Sequence, residues 1–273
     1  MSKEYLNQYI ESTVNNVLTT INIFDRLPNN PDMPQLEKNI RKQIEAEGVL
    51  TLTVIVCPSY NPTSLLSSNP EEYVCNKIRV PDLFSTRVTK INSLLNQLKD
   101  KNIKTKLTVL IGDTDPQNYV LPILESKYQI KINTRAYQGR IKEYCQCYSQ
   151  LIQKQFPGIS EVVSLSDLGS LEVPESAISQ SQLEQETKFL TWLFSETGPY
   201  KNMFPLDPND ILQMVKAKFN LYGQQGWIIS ELTGGIILQT ETPWLLRTQM
   251  LQSSGAPISA IYPWIRSEEL SVI

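Results

Sequence analysis

Apolar positions along the chain recur at two spacings, and the change from one to the other sets out the elements. Over residues 3–26, Tyr5, Leu6, Tyr9, Ile10, Val14, Val17, Leu18 and Ile21 fall at steps of three and four, which predicts an amphipathic helix. Pro28, Pro31 and Pro34 break the chain after it. A second helix is expected from about 35 to 47, stopped by Gly48. The run Leu50-Thr51-Leu52-Thr53-Val54-Ile55-Val56-Cys57 is β-branched and apolar on both faces, as a central strand of a parallel sheet requires. It ends in Pro58-Ser59-Tyr60-Asn61-Pro62, and a polar loop continues to about residue 80. Loops of that length usually carry function or motion.

Helical spacing resumes after Pro81 and Asp82, through Leu83, Val88, Ile91, Leu94, Leu95 and Leu98. A strand at Leu107-Thr108-Val109-Leu110-Ile111 ends in Gly112-Asp113-Thr114-Asp115-Pro116. Tyr128 to Ile132 reads either as a short strand or as part of a helical region. A helix from Arg135 to Gln155 carries Ile141, Tyr144, Cys145, Tyr148, Leu151 and Ile152 on one face. The strand Glu161-Val162-Val163-Ser164-Leu165 ends at Ser166-Asp167. Further on, helices are expected near 181–196 and 208–222, and strands at Trp227-Ile228-Ile229 and at Ile236 to Thr240. A helix is expected from Thr242-Pro243 to Gly255, and a last strand from Ile258 to Tyr262. Strands alternating with helices predict a parallel sheet with right-handed crossovers. The expected fold class is therefore α/β: a Rossmann-like, mostly parallel sheet flanked by helices over residues 49–273, with an N-terminal helical appendage over residues 1–48.

Composition narrows the chemistry. The 273 residues include no histidine. Catalysis by Ser-His-Asp or Cys-His as usually built is thereby excluded, as is the commonest general base. The four cysteines, Cys57, Cys75, Cys145 and Cys147, are expected to be thiols. Cys145 and Cys147 lie two apart on a helix, so they point apart and do not share a metal. No metal and no cofactor are expected. The net charge of −3 gives no global basic field for nucleic acid. Lys99, Lys101, Lys104 and Lys106 form a local basic stretch that reads as a solvated helix end. No apolar run approaches the roughly 20 residues that span a bilayer. The first residues lack the apolar stretch of a signal peptide, so a cytoplasmic protein is expected. The oligomeric state is left open.

Ligands of open parallel sheets bind outside the carboxyl ends of the strands. That rule selects residues 58–64, 112–119 and 166–169. Ser59 and Asn61 follow the first strand, where they either satisfy the turn backbone or reach a ligand. A serine nucleophile needs a base, which here would be a substrate amine or a tyrosine; Tyr119 is the candidate tyrosine. Asp113 and Asp115 read either as turn chemistry before Pro116 or as two carboxylates after a strand that hold a divalent cation and a nucleotide diphosphate, the arrangement metal-dependent glycosyltransferases use. Arg135, Arg140 and Lys142 put three cations near a helix start, where they oppose the helix dipole. Either water or a bound anion such as phosphate compensates them.

The order of these segments resembles cyclodipeptide synthases. Val54-Ile55-Val56-Cys57-Pro58-Ser59-Tyr60-Asn61 resembles the family's first strand and serine loop. Leu83-Phe84-Ser85 resembles the element that follows, and Asp113 to Tyr119 with Thr134-Arg135-Ala136 and Gly139-Arg140 its second strand and basic helix. Val162 to Leu168 resembles a later strand, and Thr242-Pro243-Trp244 a Pro-Trp element near the family's end. The resemblance implies a Rossmann-type fold related to class I aminoacyl-tRNA synthetases, and an acyl transferase that joins amino acids from aminoacyl-tRNA. It implies Ser59 as acyl acceptor and Arg135, Arg140 and Lys142 near tRNA. The family's Tyr and Glu, four apart on a later helix, are not found over Ile211 to Asn220, and Gln239-Thr240-Glu241 stands where a tyrosine is expected. The same segments also resemble isocyanide synthases and family-two-like glycosyltransferases, which imply a small-molecule substrate on the same edge. A catalytically silent binding or scaffold protein is the third reading.

Overall fold

A computed structural model describes residues 3–56, 82–112, 123, 126, 134–155, 159, 161–168, 172–195, 207–239 and 245–263. In chain order the described elements are α1 (Lys3–Phe24), α2 (Met33–Glu47), β1 (Val49–Val56), α3 (Asp82–Asp100), β2 (Lys104–Ile111), α4 (Thr134–Gln155) and β3 (Glu161–Ser164). A 3-10 turn (Leu165–Leu168) follows, then α5 (Gln180–Leu193), α6 (Pro208–Thr233), β4 (Ile236–Leu238), α7 (Leu245–Gln252) and β5 (Ser259–Ile261). The five strands stand in the order β3-β2-β1-β4-β5, with every neighbouring pair parallel. The expected α/β class, with a parallel sheet flanked by helices, is the observed one.

β1 and β2 pair from Val49 opposite Lys104 to Val56 opposite Ile111. Leu50, Leu52, Val54, Val56, Val109, Leu110 and Ile111 are buried, as the two-sided apolar run requires. Each such side chain contributes about 1.5–3 kcal/mol by leaving water. α2 packs on β1, β4 and β5, α3 packs on β2, and α1 lies against α2 and α3. α5, α6 and α7 pack together, with α6 against β1.

Local sequence fixes the helix ends. Ser179 and Gln182 form a capping box at α5, and Asp207 and Asp210 form one at α6, where Pro208 takes the first helical position. Gly48 and Gly234 end α2 and α6 in the left-handed region at φ 64° and 71°. α6 and α7 cross closely at Gly226, where a Cβ would lie 1.9 Å from the Leu251 carbonyl oxygen.

The open side of β5 is closed by the turn between α1 and α2. The Asp32 carboxylate accepts the Ala260 N–H at 3.1 Å, and Asn30 Nδ2 donates to the Ala260 carbonyl at 2.8 Å. The Asp25 carboxylate accepts the Tyr262 N–H at 3.4 Å, and the Arg26 N–H donates to the Tyr262 carbonyl at 3.0 Å. An exposed edge of unpaired backbone groups is thereby removed.

Three expectations change. Trp227-Ile228-Ile229 lies inside α6 and is not a strand. A short apolar run reads the same in a buried helix as in a strand, and Ile228 and Ile229 are buried while Trp227 Nε1 donates to the Ser254 carbonyl at 3.1 Å. The apolar stripe of α1 enters the core only from Ile10 onward; Tyr5, Leu6 and Tyr9 are 61%, 41% and 54% exposed. Cys145 is a buried thiol, as expected, whereas Cys147 is disulfide-bonded. The segment Tyr128 to Ile132 lies outside the described residues.

Candidate functional site

The sheet order reverses at β1, which has β2 on one side and β4 on the other. The carboxyl ends flanking such a switch point form the crevice in which open α/β sheets bind ligands. Val56, Ile111 and Ser164 end their strands level with one another. Leu238 is level with Val54 and with Ile261, so Gln239 and Tyr262 stand one step beyond, beside the end of β1. A helix that precedes a parallel strand runs back against it. The N-termini of α2, α3, α4, α6 and α7 therefore gather at this same edge, where their dipoles favour negative charge.

Of the candidates read from the sequence, Ser59, Asn61, Asp113, Asp115 and Tyr119 lie outside the described residues. In chain position Ser59 is three residues beyond Val56, and Asp113 is two beyond Ile111. Arg135 and Arg140 fall in the first turns of α4. Lys142 is exposed, and its Nζ lies 3.8 Å from Asp167 Oδ1, in the turn that leaves β3. An exposed pair of this kind contributes about 0–1 kcal/mol. It ties α4 to the end of β3, and the ammonium has further N–H donors to offer an anion. No group of three or more Cys, Asp or Glu side chains among the described residues is arranged to hold a metal ion.

Two sets of polar contacts at the ends of β4 and β5 were not among those candidates. Gln239 Nε2 donates to Thr248 Oγ1 at 2.7 Å. The Tyr262 hydroxyl donates to Asp32 Oδ2 at 3.5 Å. Gln252 Nε2 donates to Asp32 Oδ1 at 2.9 Å. All of these residues but Gln252 are at least nine-tenths buried. Burial pushes the Asp32 carboxyl up from the usual carboxylate range; the hydrogen bonds from Gln252, Ala260 and Tyr262 oppose that, and the nearby Asp25 charge adds to it. Burial, and next the Asp32 charge, push the Tyr262 phenol up as well, so it stays a proton donor. The strand-end rule that selected Ser59 also reaches Gln239 and Tyr262 once β4 and β5 are placed. Asp32 carried no signal beyond the prolines around it.

The chain is similar to the PvcA protein from Pseudomonas aeruginosa in its crystal structure, with a TM-score of 0.50 and 16% identity over 92% of this chain and 83% of that one. It is also similar to a cyclodipeptide synthase from Candidatus Glomeribacter gigasporarum bound to Phe-tRNAPhe, with a TM-score of 0.48 and 15% identity over 80% of this chain and 89% of that one. The likeness to PvcA is one of fold. No protein-family model and no curated protein matches the chain. No helix among the described residues is long and apolar enough to cross a membrane.

Proposed function

We propose that the protein is a cyclodipeptide-synthase-like acyl transferase that takes an aminoacyl group from aminoacyl-tRNA onto Ser59. The observation that carries this reading is the reversal of strand order at β1, whose last residue, Val56, stands three before Ser59. The rule for open parallel sheets makes the end of that strand the place for a reacting group. The motif resemblance of the segments around Ser59, Arg135 and Arg140 supports the substrate class. The gathered helix N-termini and Lys142 suit the phosphates of a nucleic acid.

The transfer is an ester exchange. A bond forms between Ser59 Oγ and the aminoacyl carbonyl carbon, the ester bond to the tRNA ribose oxygen breaks, and the serine proton ends on that ribose hydroxyl. Asn61 and Tyr119 are the polar groups assigned to this step, Asp113 and Asp115 are assigned to substrate contact, and the exchange requires no cofactor.

Intact-mass measurement of the full chain after mixing with charged tRNAs tests the reading. An added mass of one aminoacyl group, absent in Ser59→Ala, is expected. A chain that gains no such mass from any charged tRNA overturns it. Binding of the tRNA should also weaken steeply with salt, because neutralised phosphates release counterions.

A further inference from the structure

We propose that the outer face of α5, formed by Lys188, Phe189 and Trp192, is a stacking platform for a base of a single-stranded nucleic-acid segment. That this segment is the single-stranded end of a tRNA rests on the function proposed above; the platform itself does not.

α5 packs on α6 through one side, where Glu186 and Leu190 are buried. Phe189 and Trp192 are three apart on the helix and so share another face. They are 43% and 48% exposed, with ring centroids 6.0 Å apart and planes 33° from parallel. The exposed parts of the two rings amount to roughly 200 Å². That is about a quarter of the ~800 Å² that each partner of a stable protein complex buries. The patch is thus too small for a second copy of the chain or a folded partner. It does suit one planar ring, since any base has a π-face to stack.

The surrounding charge selects a nucleotide among planar groups. The Lys218 Nζ lies 5.3 Å from the Phe189 ring centroid. Lys218 is buried, so the exposed part of that ring is turned away from it. One side of the ring already serves a cation, which leaves the outer side better suited to an electron-rich base than to the lysine or arginine of a protein. Lys188 is exposed and stands four residues before Trp192, on the same face. It makes no ion pair with a described residue. The nearby carboxylates are engaged elsewhere: Glu186 pairs with Lys218, and Glu184 accepts from Gln180 at 2.9 Å. The Lys188 ammonium is left to meet a phosphate beside the stacked base.

Two rings with one cation is the combination that binds single strands with little regard to sequence. Stacking supplies the part of the affinity that needs a base, and the cation supplies a part that weakens with salt. The two parts can be removed separately, because the rings and the ammonium belong to different side chains.

The test measures binding of the full-length protein to a short single-stranded oligoadenylate and to an abasic oligonucleotide of the same length. The wild type should bind the adenylate more tightly. Trp192→Leu and Phe189→Leu, which keep an apolar side chain but remove the ring, should each weaken adenylate binding by about 5- to 150-fold and leave abasic binding unchanged. Trp192→Phe should keep most of the affinity. Lys188→Gln should weaken both oligonucleotides and lower the slope of log affinity against log salt by about 0.7. It lies at an exposed position, so it covers the case in which a ring variant does not fold. Equal wild-type affinity for the two oligonucleotides, Leu variants that bind adenylate as the wild type does, or an unchanged salt slope in Lys188→Gln overturns the platform. So does a wild-type dimer in sedimentation that Trp192→Leu dissolves without changing adenylate binding, since the face then belongs to a second copy. If the platform results hold while no charged tRNA leaves an aminoacyl mass on Ser59, this inference stands and the transferase reading falls. If Ser59 gains the mass and the Leu variants bind adenylate like the wild type, the reverse is true.

Discussion

Lys218 and Asp32 are both charged side chains taken out of water, and they are held in opposite ways. Lys218 lies between α5 and α6 against the Glu186 carboxylate, and the rings of Phe189 and Tyr222 sit 5.3 and 5.9 Å from its Nζ. Its charge is cancelled by a partner that is itself buried. Among the described residues Asp32 meets neutral donors from Gln252, Ala260 and Tyr262, and the formal charge it feels, Asp25, has its own sign. The first arrangement joins two helices on one side of the sheet. The second leaves a carboxyl held by neutral donors beside the strand ends, where burial raises its hold on a proton. A buried pair and a buried single charge thus predict different responses to the same operation, removal of charge.

The largest effect is expected at the pair. Lys218→Ala leaves the Glu186 carboxylate buried without its cation, which typically costs about 3–5 kcal/mol. Urea unfolding of the variant should show that loss. Adding Glu186→Leu to Lys218→Met should recover most of it, since a buried pair replaced by apolar groups of similar volume is often neutral. If Lys218→Ala alone were as stable as the wild type, the pair would not be what holds α5 on α6.

A smaller effect of opposite sign is expected at Asp32. Its carboxyl holds a proton more tightly in the folded chain than in the unfolded one. The stability linked to that difference is fully present below the unfolded pKa, and it is lost as pH rises through the folded value. Asp32→Asn should flatten this part of the profile, and at neutral pH it should leave stability unchanged or raised. Urea midpoints measured across a pH series decide it. A neutral-pH loss comparable to that of Lys218→Ala would mean that the carboxylate is compensated after all, and the contrast between the two sites would collapse.

The contrast also explains how much could be read from the sequence. β1 and β2 were legible because both faces of each are apolar, and α2 and α6 carry their stops in Gly48 and Gly234. The end of α6 reads as a strand because Ile228 and Ile229 are buried and Trp227 partly so, in a helix that is apolar on more than one side, where periodicity no longer separates helix from strand. Ser59 and Asp113 could be named from their places after strands. The approach of Asp32 to Tyr262 could not, since 230 positions separate them and only the packing of the α1–α2 turn on the edge of β5 joins them. The cation candidates are local to one helix start and so were visible, whereas polar contacts drawn from the α1–α2 turn, α7 and the ends of β4 and β5 have no local pattern.

The smallest effect is expected where charges remain in water. Arg41 of α2 donates both of its terminal nitrogens to the Glu11 carboxylate of α1, and the two side chains are 32% and 57% exposed. The hydrogen bond to Arg41 holds the Glu11 carboxyl below the usual range. The stabilisation linked to it is therefore present above the unfolded carboxylate range and lost as pH falls. Solvent and salt screen such a pair, and two long side chains lose freedom in forming it. Glu11→Gln should accordingly move the urea midpoint at neutral pH less than either buried variant, and added salt should erase the difference. A loss at high salt as large as that of Lys218→Ala would show that pairing itself, and not removal from water, ranks these sites, and the opposite behaviour of Lys218 and Asp32 would then need another cause.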